Sequence, residues 1–152
     1  MKIAIACDHG GFALKEELVK FLLAASENEV YGEKIEIMDL GTNSEESVDY
    51  PIYGHKCAKA VASGKADRGV LCCGTGIGIS IAANKVKGIR CALCTSVDMA
   101  RLCREHNNAN MIAFGGRTTE LPDAIEMLDT YLKTPFAGGR HERRVNMIEE
   151  DI

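Results

Sequence analysis

The chain has 152 residues, of which 46% are hydrophobic and 26% are charged, and its formal net charge is −4. These values fit one globular domain over residues 1–152 whose core forms without cross-links. They exclude a basic protein whose overall field would favour nucleic acid or an anionic membrane surface. Because no apolar run approaches the roughly 20 residues that cross a bilayer, we expect a protein that binds neither nucleic acid nor membranes.

Five β-branched runs alternate with amphipathic segments, which is typical of an α/β fold with a parallel sheet and helices on both faces. We therefore predict a three-layer α/β/α sandwich of the Rossmann-like kind. The predicted strands are Lys2–Cys7, Lys34–Asp39, Gly69–Cys73, Ile89–Thr95 and Asn110–Phe114.

The first predicted helix lies between the first two strands. Its apolar residues share one face, which should cover the sheet, and its charged residues, Lys15 among them, should lie away from that face. The apolar face consists of Leu14, Leu18, Phe21 and Leu22. A second helix follows Pro51 and stops at Gly64.

A third helix begins inside the glycine-rich segment over residues 74–78. Thr95 and Asp98 resemble a capping box and predict the start of a fourth helix. Its inward side is predicted to consist of Met99, Leu102 and Cys103.

Pro122 starts a fifth helix, and the chain changes character after Pro135. The tail over residues 136–152 contains a glycine turn, a basic cluster and a short helix, and we expect it to pack on a partner subunit. Within the cluster Arg140 and Arg144 share a helical face, and their planar forks suit a phosphate dianion. Such a cluster is more often only a solvated helix face.

Seven cysteines are an odd number, and they lie in apolar segments, which is typical of reduced thiols. The N-terminal apolar run is too short for a signal peptide. We therefore expect a cytoplasmic protein. Cys91 and Cys94 form a C-x-x-C, but no second pair follows at zinc-ligand spacing, so we expect no metal.

Ligands of open α/β sheets bind at the carboxyl ends of the strands, and reactive residues follow three of the predicted strands. Asp8 and His9 follow the first, Cys73 ends the third, and Arg117 follows the fifth. Asp8 and His9 suit a hydroxyl and a phosphate, although a loop histidine with purely structural partners is an equal alternative.

The glycine-rich segment after the third strand predicts an anion-binding loop, because glycines let successive N–H groups point at one oxyanion. A dinucleotide loop would need glycine where Ile79 or Ile81 stands. A glycine turn that serves only close packing remains an alternative. The loop consists of Gly74, Thr75, Gly76, Ile77 and Gly78.

Cys73 stands where a strand gives way to a helix, a position that favours a thiolate. Cys72 should face the opposite side of the sheet, and we assign Cys72, Cys91 and Cys94 to the core. A small buried hydrophobe is the alternative for Cys73 as well. His106, which ends a helix, either takes part in catalysis or caps helix carbonyls.

Two further histidines, His55 and His141, are interpreted as surface residues.

Taken together, these residues and motifs show that the sequence resembles the type B ribose-5-phosphate isomerases, whose relatives include allose-6-phosphate and galactose-6-phosphate isomerases. The likeness covers nearly the whole chain. It is carried by ACDHGGFALK at the start, SVDYP at 47–51, CGTGIGISIAANK at 73–85, GIR at 88–90, HNNAN at 106–110, FGGR at 114–117 and GGRHERRV at 138–145.

The resemblance implies interconversion of ribose 5-phosphate and ribulose 5-phosphate in the non-oxidative pentose phosphate pathway, without a cofactor. Cys73 would be the base, His106 would open the furanose ring, and the 74–78 loop would hold the enediolate. The residues implied in substrate binding are Asp8, His9, Asn107, Arg117, Arg140 and Arg144.

The resemblance also implies a sheet ordered 2-1-3-5-4 and a homodimer, or a tetramer, whose active sites are shared between subunits. Cys73 and His106 would then come from different chains. Two other functions stay open at this point: an isomerase for a six-carbon sugar phosphate, and a sugar-phosphate sensor without turnover.

Overall fold

The computed structural model describes all residues, 1–152, and contains five strands and six helices. All strand pairs are parallel, and the sheet order is β2-β1-β3-β5-β4, as the resemblance implied. None of the helices combines the length and the apolar character that crossing a bilayer would need. The strands are β1 (Lys2–Cys7), β2 (Glu36–Asp39), β3 (Arg68–Cys73), β4 (Cys91–Leu93) and β5 (Met111–Gly115). The helices are α1 (Phe12–Glu27), α2 (Tyr50–Ala62), α3 (Ile77–Asn84), α4 (Val97–Glu105), α5 (Leu121–Lys133) and α6 (Arg140–Ile148).

Two apolar layers lie on opposite faces of the sheet, which confirms the three-layer prediction. Alternate residues of β1 enter different layers: Ile3 and Ile5 pack with α1, α4 and α5, whereas Ala4 and Ala6 pack with α2. Leu18 of α1 is fully buried in the first layer, which contributes about 2 kcal/mol relative to an exposed side chain. The small side chains of β1 on the second face leave room for a close approach of α2.

The predicted edge strands are shorter in the structure than in the sequence analysis. Strand β4 spans Cys91–Leu93 rather than 89–95, because the amide of Ile89 is already used in a turn with the carbonyl of Val86. Strand β2 starts at Glu36 rather than at Lys34. Both lie at the edges of the sheet, where short strands limit pairing with other chains.

Lys15 corrects the prediction for α1, because its side chain is fully buried rather than solvated. Its ammonium donates to both carboxylate oxygens of Asp39 at 2.8 and 2.9 Å and to the carbonyl of Thr42 at 2.8 Å. Burial alone would lower the pKa of Lys15, but the hydrogen bond and charge of Asp39 raise it above its ordinary value. A charged residue is tolerated inside because its partners replace water.

The start of α4 also differs from the prediction. Ser96, not Thr95, is the N-cap, and its hydroxyl accepts from the amide of Met99 at 3.2 Å. The inward face is accordingly shifted: Ala100 and Cys103 are buried, whereas Met99 is 41% exposed. The buried residues are thus displaced by one position from the prediction, which corresponds to about 100° around the helix axis.

Strands β3 and β5 are neighbours in the sheet. Candidate functional residues lie at both of their ends, so the distance between the two ends matters for the site. The two strands run in register from Gly69 opposite Met111 to Cys73 opposite Gly115. Four steps of about 3.3 Å place these ends roughly 13 Å apart. We call the edge where the parallel strands begin the amino edge and the edge where they end the carboxyl edge.

Candidate active site

Cys73 is the last residue of β3 and lies at the carboxyl edge. Its side chain belongs to the layer of α2 and α3, whereas Cys72 belongs to the opposite layer, which confirms the predicted alternation. The amide of Gly76 donates to the Cys73 sulfur at 3.1 Å. An N–H directed at sulfur stabilises negative charge there, and the start of α3 adds its positive end.

The loop between β3 and α3 requires glycine at residue 76, the N-cap of α3. Gly76 has a φ of 77°, and a Cβ atom on it would lie 2.6 Å from Leu93 Cδ1 and 2.8 Å from the carbonyl carbon of Phe114. Gly78 lies under the ring of Tyr50, the first residue of α2. The exposed side chains of the loop are those of Thr75 and Ile77.

Three loops meet at the carboxyl edge, as the strand ends predicted. A Cβ atom on Gly10 would lie 3.0 Å from the backbone nitrogen of Gly74 and 3.3 Å from Cζ of Arg117. The amide of Gly116 donates to the carbonyl of Cys73 at 2.7 Å, and that of Arg117 donates to the carbonyl of Gly74 at 3.0 Å. Arg117 is therefore held directly beside the 74–78 loop that follows Cys73.

Asp8 and His9 are fixed by backbone partners. One carboxylate oxygen of Asp8 accepts from the amides of Gly10 and Gly11 at 2.8 and 3.1 Å. The amide of Val48 donates to Nδ1 of His9 at 3.1 Å. Because Nδ1 is an acceptor, the neutral imidazole carries its proton on Nε2, which leaves that N–H free as a donor.

A cavity of about 380 Å³ opens between these loops. Its polar wall pairs the imidazole of His9 with the guanidinium of Arg117, two groups that suit an anion. Glu45, which the sequence analysis missed, adds a negative charge at the rim, and no spacing pattern marks it because it lies in an exposed loop. The lining residues are His9, Gly10, Ala13, Glu45, Gly116 and Arg117.

The second group of predicted residues lies at the amino edge. His106 follows the last residue of α4, and its ring stacks on that of His141 in α6, with centroids 4.1 Å apart and planes inclined by 13°. His141, interpreted from the sequence as a surface residue, is half-buried and in contact with a predicted site residue. Its place beside Arg140 in GGRHERRV was the available signal. Asn107 follows His106 and is exposed.

Arg140 and Arg144 lie at the start of α6 and one turn on, as predicted. Both are exposed, and both contribute to the electrostatic surroundings of His141. Partial loss of contact with water lowers the pKa of His141, and the charges of His106, Arg140 and Arg144 lower it further. A cationic face therefore surrounds the histidine stack in an otherwise acidic protein.

Four other thiols lie in the core. Burial raises the pKa of Cys57 to about 12 and that of Cys72 well above its ordinary value, so these side chains stay protonated. Cys91 and Cys94 are also buried, which confirms their assignment to the core. Among the cysteines of the sheet, Cys73 alone combines a strand end with an N–H donor from a helix start.

The structure thus divides the predicted site residues into two groups and does not join them within one chain. The carboxyl-edge group consists of Asp8, His9, Arg117 and the segment 73–78. The amino-edge group consists of His106, Asn107, His141, Arg140 and Arg144. Residues that lie at opposite ends of the same strands cannot contact one small ligand together, so a single chain does not bring the two groups to the same ligand.

This chain belongs to the Ribose/Galactose Isomerase family, whose model matches residues 3–148. Ribose-5-phosphate isomerase B of Escherichia coli K12 is 46% identical to it over 147 residues, covering 97% of this chain and 93% of that protein. The structure of ribose-5-phosphate isomerase B from Clostridium thermocellum has a TM-score of 0.90 at 53% identity and covers 98% of this chain and 95% of its own. That of ribose 5-phosphate isomerase from Thermotoga maritima gives 0.89 at 53% identity, with 97% of each chain covered.

Proposed function

We propose that this protein interconverts ribose 5-phosphate and ribulose 5-phosphate, with Cys73 as the base. The observation that carries the proposal is the hydrogen bond from the Gly76 amide to the Cys73 sulfur at 3.1 Å. A thiolate held in this way, at the carboxyl edge and beside Arg117, is the group that an aldose-ketose isomerase of this family needs.

The proposed chemistry moves one proton between carbon atoms and one between oxygen atoms. The thiolate of Cys73 takes the proton from C2 of the open-chain aldose, the electrons of that C–H bond form the C1–C2 double bond, and the carbonyl electrons of C1 pass to its oxygen to give an enediolate. The hydroxyl proton on the C2 oxygen then moves to the C1 oxygen, the thiol returns its proton to C1, and the C2 oxygen becomes the ketone carbonyl. The amides of Gly76 and Ile77 are already bonded, to the Cys73 sulfur and to the Thr75 hydroxyl, so the other backbone N–H groups of residues 74–78 are assigned to the developing oxyanion, a contribution of about 3 kcal/mol in comparable sites.

Ring opening and phosphate binding are assigned to the remaining polar residues. His106 transfers a proton to the ring oxygen of the furanose and accepts one from the hydroxyl on C1. Asp8 and Asn107 bind sugar hydroxyls. The phosphate is held by His9, Arg117, Arg140 and Arg144, whose N–H groups make charge-assisted hydrogen bonds.

The active site forms between two subunits in this proposal. It is supported by the separation of Cys73 at the carboxyl edge from His106 at the amino edge. A surface for association is available on α3, where Ile77 and Ile81 lie one turn apart and are 52% and 56% exposed. Apolar side chains of that size on a neighbouring turn are typical of a protein interface. We propose a homodimer as the smallest active unit, with the tail over residues 136–152, which contains α6, beside the shared site.

We also propose that the protein acts in the cytoplasm, among the reactions that interconvert pentose phosphates. Its test is a rate comparison with ribose 5-phosphate, allose 6-phosphate and galactose 6-phosphate at equal concentrations. We expect the highest kcat/KM with ribose 5-phosphate. A higher kcat/KM with a six-carbon phosphate would reassign the substrate, and no turnover with any of them would contradict the isomerase proposal.

The matched variant for this test is Cys73→Ser, which keeps the shape of the side chain and removes the thiolate. We expect turnover to fall by about 10³-fold or more, while binding of ribose 5-phosphate measured by calorimetry stays within about threefold. Retained turnover would show that another group is the base.

A further inference from the structure

The segment that carries His106 and Asn107 has an unusual backbone and two arginines around it. Asn108 has a φ of 46°, in the left-handed region that non-glycine residues rarely adopt. Such a conformation persists only where surrounding contacts hold it. The contacts that do so here come from Arg90, just before β4, and Arg104, within α4.

Arg90 contacts the backbone of this segment from the outer side. Its Nε donates to the carbonyl of Asn107 at 3.0 Å, and its Nη2 donates to that of Asn108 at 3.0 Å. Its Nη1 pairs with the carboxylate of Glu149 at 2.5 Å, at the end of α6. One planar group therefore joins the segment after His106 to the helix that carries Arg140.

The turn before β4 and the turn before β5 also hold each other. The side-chain carbonyl of Asn110 accepts from the amide of Arg90 at 2.8 Å, and its side-chain amide donates to the carbonyl of Gly88 at 2.8 Å. The backbone amide of Asn110 in turn donates to the carbonyl of Arg90 at 3.1 Å. The backbone of Arg90 is thus held in place independently of the contact between its guanidinium and Asn107.

Arg104 supports the same segment from the core. It is 4% exposed, and its guanidinium donates to the side-chain carbonyl of Asn108 at 2.9 Å and to the carbonyl of Ala109 at 2.8 Å. It also lies over the ring of Tyr131, 5.8 Å from the centroid. Because Arg104 is a core residue, its removal would affect folding, and Arg90 is the better position at which to test the segment.

We propose that Arg90 is a positioning residue for His106 and Asn107, an inference that rests on the proposed function. Its fork sets the orientation of the 106–108 backbone and its distance from α6, so that the imidazole of His106 and the arginines of α6 act on one substrate. Arg90 and Asn107 also share the wall of a cavity of about 430 Å³ at the amino edge. The Arg90 side chain thus borders the amino-edge group, but it is not one of the groups that take part in the reaction.

The geometry requires the guanidinium and not just a positive charge. Two carbonyls and a carboxylate are met in different directions by Nε, Nη2 and Nη1, and a lysine ammonium is a single point that cannot reach all three. Arg90→Lys is therefore the discriminating variant. Arg101→Lys is the matched control, because Arg101 pairs with Glu105 and Asp98 on the exposed side of α4.

The catalytic readout compares two reactions. Conversion of ribose 5-phosphate begins with a furanose ring, whereas exchange of a C1 hydrogen of ribulose 5-phosphate with D₂O begins from a ketose that cannot close a furanose. We expect Arg90→Lys to lower kcat for the conversion about tenfold, in the range of supporting-residue effects, and to leave kcat for the exchange within about twofold, whereas weaker binding by Asn107 and the arginines of α6 would raise KM in both reactions. Arg101→Lys should change neither. Equal losses in both reactions, or no loss in either, would overturn the positioning role.

A second readout is independent of catalysis. The amides of Ala109 and Asn110 are bonded to the carbonyls of Cys103 and Arg90, so hydrogen-deuterium exchange of the 106–110 peptide reports how firmly the segment is held. We expect faster exchange in Arg90→Lys than in the wild type and in Arg101→Lys. Unchanged exchange would overturn the inference. Faster exchange in a protein that does not convert ribose 5-phosphate would instead contradict the proposed function alone.

Discussion

The imidazole of His106 stacks on that of His141, and the stack joins α4 to the start of α6. The pKa of His141 is lowered in the folded protein, first by its partial removal from water and then by the charges around it. An unfolded histidine titrates near 6.5, so as the pH falls through about 6.5 the unfolded chain takes up a proton that the folded chain resists. The free energy of unfolding should therefore decrease as the pH falls from 7.5 to 5.5.

His141→Gln should reduce that loss of stability, because the group that resists the proton is gone. Urea unfolding at pH 7.5 and 5.5, at one protein concentration, measures it. His55→Gln, on α2, is the control and should retain the wild-type difference. An NMR titration that places the pKa of His141 at or above the unfolded value would contradict the prediction.

Gly76 and Gly88 separate the effect of backbone conformation from that of space. Both have a positive φ, 77° and 87°, but a Cβ atom on Gly88 would meet nothing within 4 Å, whereas one on Gly76 would collide with Leu93 and Phe114. We expect Gly88→Ala to lower the free energy of unfolding by about 1 kcal/mol and Gly76→Ala by about 3 kcal/mol, because overpacking is added.

The Gly76→Ala variant should also lose most of its turnover, since a shifted Gly76 amide no longer donates to the Cys73 sulfur. A reduction of kcat of about 100-fold or more is expected, with Gly64→Ala, at another positive-φ glycine in open space, within about twofold of the wild type. Equal activities of the two variants would show that the Gly76 amide is not needed.

Lys15 and Asp39 form a pair in which the lysine is fully buried and the carboxylate is one-third exposed. Lys15→Met leaves Asp39 without its main partner, and we expect a loss of about 2 to 3 kcal/mol of unfolding free energy, somewhat less than for a fully buried pair. Lys20→Met, which removes an exposed pair with Glu17, should cost less than about 0.5 kcal/mol. Similar losses in urea unfolding for the two variants would contradict this account.

Mixed subunits test whether Cys73 and His106 of different chains share a site. Cys73→Ala and His106→Asn should each be inactive as homodimers. In a mixed dimer one of the two sites contains both native side chains, and half of the dimers in an equal mixture are mixed, so about a quarter of the wild-type activity should return. Mixing after unfolding and refolding allows subunits to exchange. No recovery in a sample shown by mass spectrometry to contain mixed dimers would contradict the shared site.

The sequence by itself determined the elements whose signals are local. The buried strands β1, β3 and β5 are continuous apolar runs, α2 is bounded by Pro51 and Gly64, and the step from Cys73 into a glycine loop needs no distant partner to be recognised. The order of the strands and the division of roles came from the likeness to a family. Roles assigned to individual site residues stay predictions, because they depend on a substrate and a second subunit.

The tertiary structure decided the features that depend on partners far apart in the chain. Lys15 is buried because Asp39 and the carbonyl of Thr42, more than 20 residues away, replace its water. His141 is brought to His106 by the segment before α6, where the amide of Ala137 donates to the carbonyl of Glu105, and no helical period encodes that contact. Cys73 and His106 lie at opposite edges because parallel strands all begin at one edge and end at the other. A sequence pattern marks both residues as reactive, and only the direction of the strands keeps them apart in one chain.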